Sequence, residues 1–116
     1  MDAERKKRLQ DAGIDVDEAL ERFMGNENML ERYLKRFLEE KSYAALAQAG
    51  QNRDQSAALA SAHTLKSVCG TLGCHNMQAM VLEQERLMRG GQWDEAWAML
   101  PDLDAEYERI CAVLRA

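Results

Sequence analysis

Proline occurs once, at Pro101, and β-branched residues are sparse. That scarcity argues against a sheet protein. Ala, Leu, Met, Glu, Gln, Lys and Arg dominate, and they favour helix throughout. No apolar run approaches the length of a membrane span. The basic opening from Met1 to Arg8 has no apolar stretch behind it, so it does not read as a secretory signal. Positive charge is in deficit: the formal net charge is -5, which speaks against a nucleic-acid partner. The three cysteines, Cys69, Cys74 and Cys111, are odd in number and lack the spacing of a disulfide scaffold. Cys69 and Cys111 fall at apolar helical positions, as buried reduced thiols of a cytoplasmic protein do. A glycine-rich nucleotide loop is also missing, so no kinase activity of the chain's own is expected.

The 116 residues suit one domain with a modest core. Hydrophobic periodicity and caps divide them into five helices. A short first helix starts near Asp15 or Asp17 and runs to about Met24, with Gly25 as its stop. Asn26 caps a second, whose stripe of Met29, Leu30, Tyr33, Leu34, Phe37 and Leu38 predicts one helix to about Ala49, ended by Gly50. The third spans about Asp54 to Leu72 and ends at Gly73. The fourth spans about Asn76 to Arg89, with Met77, Met80 and Met88 on one face as core filler. The fifth starts near Trp93 and is kinked or broken at Pro101. The expected fold is therefore all-α: an antiparallel four-helix bundle with a short additional N-terminal helix. Residues 1–12 form an extension, helical or frayed, and residues 13–116 form the domain.

One helix carries chemistry. On the third, Ala58, Ala62, Leu65, Cys69 and Leu72 make a single apolar face with alternating spacings of four and three. His63 points about 140° away from the centre of that face. Ser67 and Gly70 lie one and two turns along from it, and Lys66 flanks it. A solvent-exposed imidazole is mostly neutral at pH 7 and keeps a nitrogen lone pair that can attack phosphorus. Lys66 can bring an ammonium to phosphoryl oxygens. Ser67 and Gly70 add little bulk, so another protein can press close. A glycine inside a helix costs about 0.8–1 kcal/mol relative to alanine, which close approach would justify.

The run His63-Thr64-Leu65-Lys66-Ser67, followed by Leu72-Gly73, resembles the signature of histidine-containing phosphotransfer (HPt) domains. That signature is His-x-x-Lys-Gly/Ser, with an apolar residue and a glycine following. Ile14-Asp15-Val16-Asp17 with Phe23, Gly25 and Asn26 is similar to the family's opening. Asp54, Gly73-Cys74 and Gly91-Gln92-Trp93-Asp94 match its other marks, so the resemblance covers about residues 13 to 115. It implies that His63 is the phosphoacceptor and that Lys66 neutralises the phosphoryl group. It also implies that Leu59, Ala60, Ser67 and Gly70, with second-helix residues beside them, form a docking face. Glu85, twenty-two residues after His63, stands where the family has an imidazole-orienting Glu or Gln. Gln84 departs from the usual leucine, and Ser67 replaces the commoner glycine.

The resemblance further implies a cytoplasmic, monomeric phosphorelay intermediate. Its partners are response-regulator receiver domains and a hybrid sensor histidine kinase, with neither nucleic acid nor membrane. It needs no cofactor of its own, and Mg²⁺ is expected on the receiver. A non-catalytic bundle that binds receivers without phosphotransfer is the alternative. A metal site built from Cys69, Cys74 and His75, with or without His63, is disfavoured, because Cys69 and His63 face opposite ways and the spacing matches no common zinc pattern. His75 lacks a lysine three residues on, so it reads as a turn or cap residue.

Overall fold

The computed structural model describes residues 1–116. It contains eight helices: α1 Ala3–Asp11, α2 Val16–Arg22, α3 Glu27–Phe37, α4 Ser42–Gln51, α5 Gln55–Leu72, α6 His75–Arg89, α7 Trp93–Ala98 and α8 Leu100–Arg115. The particle is elongated, 44 × 23 × 20 Å. Its core is one cluster running its length, from Leu9 and Leu30 through Leu65 and Cys69 to Met88 and Leu114.

Most of the expected boundaries hold for the reasons given. Asp15, Asn26 and Asp54 each turn a side-chain oxygen onto a backbone N–H of the first turn that follows: Glu18 at 3.1 Å, Met29 at 3.0 Å and Ala57 at 3.1 Å. Gly73 ends α5 at φ 77°, in the left-handed region. A Cβ there would also lie 2.6 Å from the carbonyl oxygen of Asp15. The glycine lets the start of α2 close on the α5–α6 turn, where Asp15 N–H donates to the Gly73 carbonyl at 2.9 Å and Ile14 and Cys74 form an isolated antiparallel bridge.

Two expectations change, and a third is decided between its alternatives. First, the second helix is not continuous: the stretch from Leu38 to Lys41 separates α3 from α4. Leu38, Glu39 and Glu40 tighten into i→i−3 hydrogen bonds. The Glu40 carboxylate then accepts from the N–H groups of Lys41 and Ser42, both at 3.1 Å, and so caps α4 where no cap residue stands. Second, Gly50 does not end that helix; α4 runs through it to Gln51, and Arg53 takes the left-handed turn at φ 52°. Gly50 instead faces Trp97, whose ring carbons would lie 2.5 Å from a Cβ. Third, of the two alternatives left open for residues 1–12, helical or frayed, the chain takes the helical one and packs it on the domain as α1. Asp2 caps α1 through Arg5 N–H at 2.7 Å, and Leu9 is fully buried. Arg5 holds Glu31 and the Val113 carbonyl.

Pro101 sits in the first turn of α8, and Met99 serves both the end of α7 and the start of α8. This is the break that proline imposes. Helix α5 lies at the centre, packed most extensively against α4 and α6, with α2 and α3 also touching it.

Candidate functional site

Helix α5 sorts its residues by face. Ala58, Ala62, Leu65, Cys69 and Leu72 are all buried, as the spacing predicts. His63 is exposed on the other side and makes no hydrogen bond or ion pair within the chain. Ala60 and Ser67 are exposed beside it, Leu59 is half-buried and packs on the core, and Gly70 is half-buried. Next to Ser67 a groove of about 360 Å³ opens between α3 and α5, with Tyr33, Arg36 and Glu40 on one wall and Ser67 and Thr71 on the other. Tyr33 is among the few exposed large apolar side chains, and Arg36 stacks over its ring at 4.9 Å.

Gly70 serves an internal contact as well. A Cβ there would lie 2.5 Å from Nε2 of Gln78. Its bare surface is thus covered in part by an α6 side chain, and the helical glycine has a packing reason within the chain.

Lys66 is half-buried, with 24% of its side chain exposed, and its Nζ lies 2.8 Å from Oε1 of Glu85. Glu85 is 4% exposed and also accepts from Nη2 of Arg89, through Oε2 at 3.2 Å. The Lys66 contact is an ion pair without hydrogen-bond alignment, so Oε1 retains acceptor capacity. Burial pushes the Glu85 carboxyl up, but the close Lys66 ammonium and the Arg89 guanidinium outweigh it and hold the group below the ordinary carboxylate value. The structure gives Glu85 no hydrogen bond to His63, so the orienting contact expected of it is not made. Its partners are cations instead, because α6 brings it to Lys66, one turn along α5.

Gln84 is fully buried and donates from Nε2 to the Ala96 carbonyl at 3.1 Å, the polar partner its place on an apolar face requires. All three cysteines are buried and free, and burial pushes Cys74 up to about 12. The potential ligands gathered around His75 are Asp15 and Glu18, not the cysteines. His75 Nε2 lies 2.6 Å from Glu18 Oε2, which ties α6 to α2.

The fold and the site define a helical bundle that displays one unencumbered histidine at mid-helix, with a tethered lysine beside it. The chain belongs to the Hpt domain family, whose model matches residues 16–113. Hpt domains are phosphotransfer intermediates of two-component signalling rather than kinases, and they work with receiver domains and kinases. No curated protein and no solved structure matches the chain. No helix is long and apolar enough to cross a membrane.

Sequence reasoning missed Arg89, and with it the Glu85 ion pairs. Its spacing four residues after Glu85 was the available signal.

Proposed function

We propose that the chain is a cytoplasmic phosphorelay intermediate with His63 as phosphoacceptor. A receiver domain docks against α5 and the adjoining α3 groove and presents its aspartyl phosphate to the imidazole. The lone-pair nitrogen forms a P–N bond while the acyl P–O bond breaks, and the receiver recovers its carboxylate. The reverse sequence passes the phosphoryl group to a response regulator. Such transfer needs alignment and charge neutralisation more than covalent machinery. Lys66 is the chain's contribution to neutralisation. The Mg²⁺ would be held by the receiver, so this chain needs no cofactor of its own. Leu59, Ala60, Ser67 and Gly70 leave the approach to His63 uncrowded. The contacts are those of a transient complex of modest area, and the chain acts as a monomer.

The observation that carries this reading is the exposed, unpaired His63 with a half-buried lysine one turn away, on the central helix of an Hpt domain. The test is incubation with a radiolabelled phosphorylated receiver. Acid-labile, base-stable label should appear on the wild type and vanish in His63→Ala. Label that persists in His63→Ala refutes the assignment. Binding of receivers without any label favours the non-catalytic interaction module.

A further inference from the structure

The charge arrangement around Glu85 goes beyond a passive ion pair. A carboxylate 4% exposed is shared by two cations of different character. Lys66 is half-buried and approaches from α5. Arg89 lies on α6 itself, four residues along, with 62% of its side chain in solvent. Lys66 and His63 stand three apart on one helix, so their side chains are neighbours, and a lysine stem is long enough to turn toward a group on the imidazole. A phosphoryl group there adds about 1.5 to 2 negative charges. It draws the Lys66 ammonium, but each movement of that ammonium takes a counter-ion from a buried carboxylate, which is strongly unfavourable if nothing replaces it. Arg89 is already in place to replace it. Glu85 Oε1, the oxygen facing Lys66, has no aligned donor, so it can accept a second guanidinium N–H when the lysine leaves.

We infer that Glu85 is a positioning residue for Lys66, holding its ammonium in reserve between transfers, and that Arg89 is the replacement counter-ion that lets Lys66 turn to the phosphoryl group on His63. This rests on the phosphoacceptor reading above and assigns Glu85 a different task from orienting the imidazole. The consequence is a sign. Removing the Glu85 charge frees Lys66 and takes a negative charge away from the site. Removing the Arg89 charge leaves Lys66 as the sole partner of a buried carboxylate and pins it there.

The experiment uses the whole chain with inorganic phosphoramidate as donor, so no partner protein intervenes. The imidazole nitrogen forms the new P–N bond as the donor's P–N bond breaks, and ammonia leaves. Melting curves first establish that each variant is folded. Glu85→Gln should form phosphohistidine faster than wild type by about three- to tenfold. Arg89→Gln should be slower by a similar factor of about three to ten, and Arg89→Lys should restore most of the loss. The double variant should match Glu85→Gln to within about twofold, because Arg89 matters only while Glu85 is charged. The ¹⁵N shifts of the His63 ring should be unchanged in Glu85→Gln. Slower or unchanged labelling of Glu85→Gln, a shifted His63 ring, or an unaffected Arg89→Gln overturns the inference while leaving His63 as phosphoacceptor. A wild type that takes no label, or a His63→Gln variant that labels equally, overturns the phosphoacceptor reading itself.

Discussion

Glycines show how much a single position can decide. Gly73 is constrained twice: its φ of 77° is one that side chains rarely adopt, and a Cβ would meet backbone, 2.6 Å from the Asp15 carbonyl oxygen. Backbone cannot swing aside as a side-chain tip can. Gly73→Ala should therefore destabilise the fold by about 2 kcal/mol or more, since the left-handed cost and the steric displacement add. Urea unfolding measures it, and a midpoint equal to wild type would contradict the geometry. Gly70 differs in kind. Its obstacle is the amide end of Gln78, which can move, and its helical setting favours alanine. Lys66 and Glu85 make a comparable point about charge: Lys66 has no partner on its own helix, and its place is explained only by Glu85 on the next one.

Helices α5 and α6 carry the site between them. Their antiparallel packing sets Gln78 against Gly70 near one end and Glu85 against Lys66 further along. The link has a pH signature. The Glu85 carboxyl is held below its ordinary value in the folded chain, so the unfolded chain binds more protons as the solution is acidified. The stabilisation is therefore fully present above the ordinary carboxylate range, near pH 4.3, and is lost as pH falls through the lower folded value. Thermal melts of wild type and Glu85→Gln across pH 7 to 3 test this. Wild type should lose stability relative to the variant only in the acid part of that range, and a difference independent of pH would refute it. The α3–α4 break belongs here too. It lets the groove beside Ser67 take Tyr33 and Arg36 from α3 while Glu40 turns back to cap α4.

The whole molecule is one packed body from α1 to α8. Leu9 is fully buried in the common core, and Arg5 bridges α1 to Glu31 on α3 and to the Val113 carbonyl on α8. The first helix is thus part of the domain rather than an appendage. Leu9→Ala should cost about 2–5 kcal/mol, as buried leucine truncations do, and lower Tm by roughly 8 °C or more in a chain of this size. A variant that melts like wild type would show that α1 is dispensable. The buried thiols fit the same picture: Cys74, held at about 12, lies under the α2 junction and packs as an apolar side chain.

How much of this the chain announced depends on the range of the interaction. The helical class, the caps at Asp15, Asn26 and Asp54, the stop at Gly73 and the face that turns His63 outward all follow from contacts within one or two turns, which spacing reports directly. The histidine motif is equally local, so the Hpt family was legible before any coordinate. The α3–α4 break was not, because no glycine or proline marks it and the capping carboxylate of Glu40 carries no distinctive spacing. Gly50 looked like a terminator because its reason, the Trp97 ring, lies far along the chain. Glu85 was marked as a site residue, but its partners in the structure, Lys66 and Arg89, were not foreseen. Periodicity shows which way a side chain points on its own helix. Which charge meets it there, Lys66 and not His63, depends on the register between α5 and α6, and packing alone sets that register.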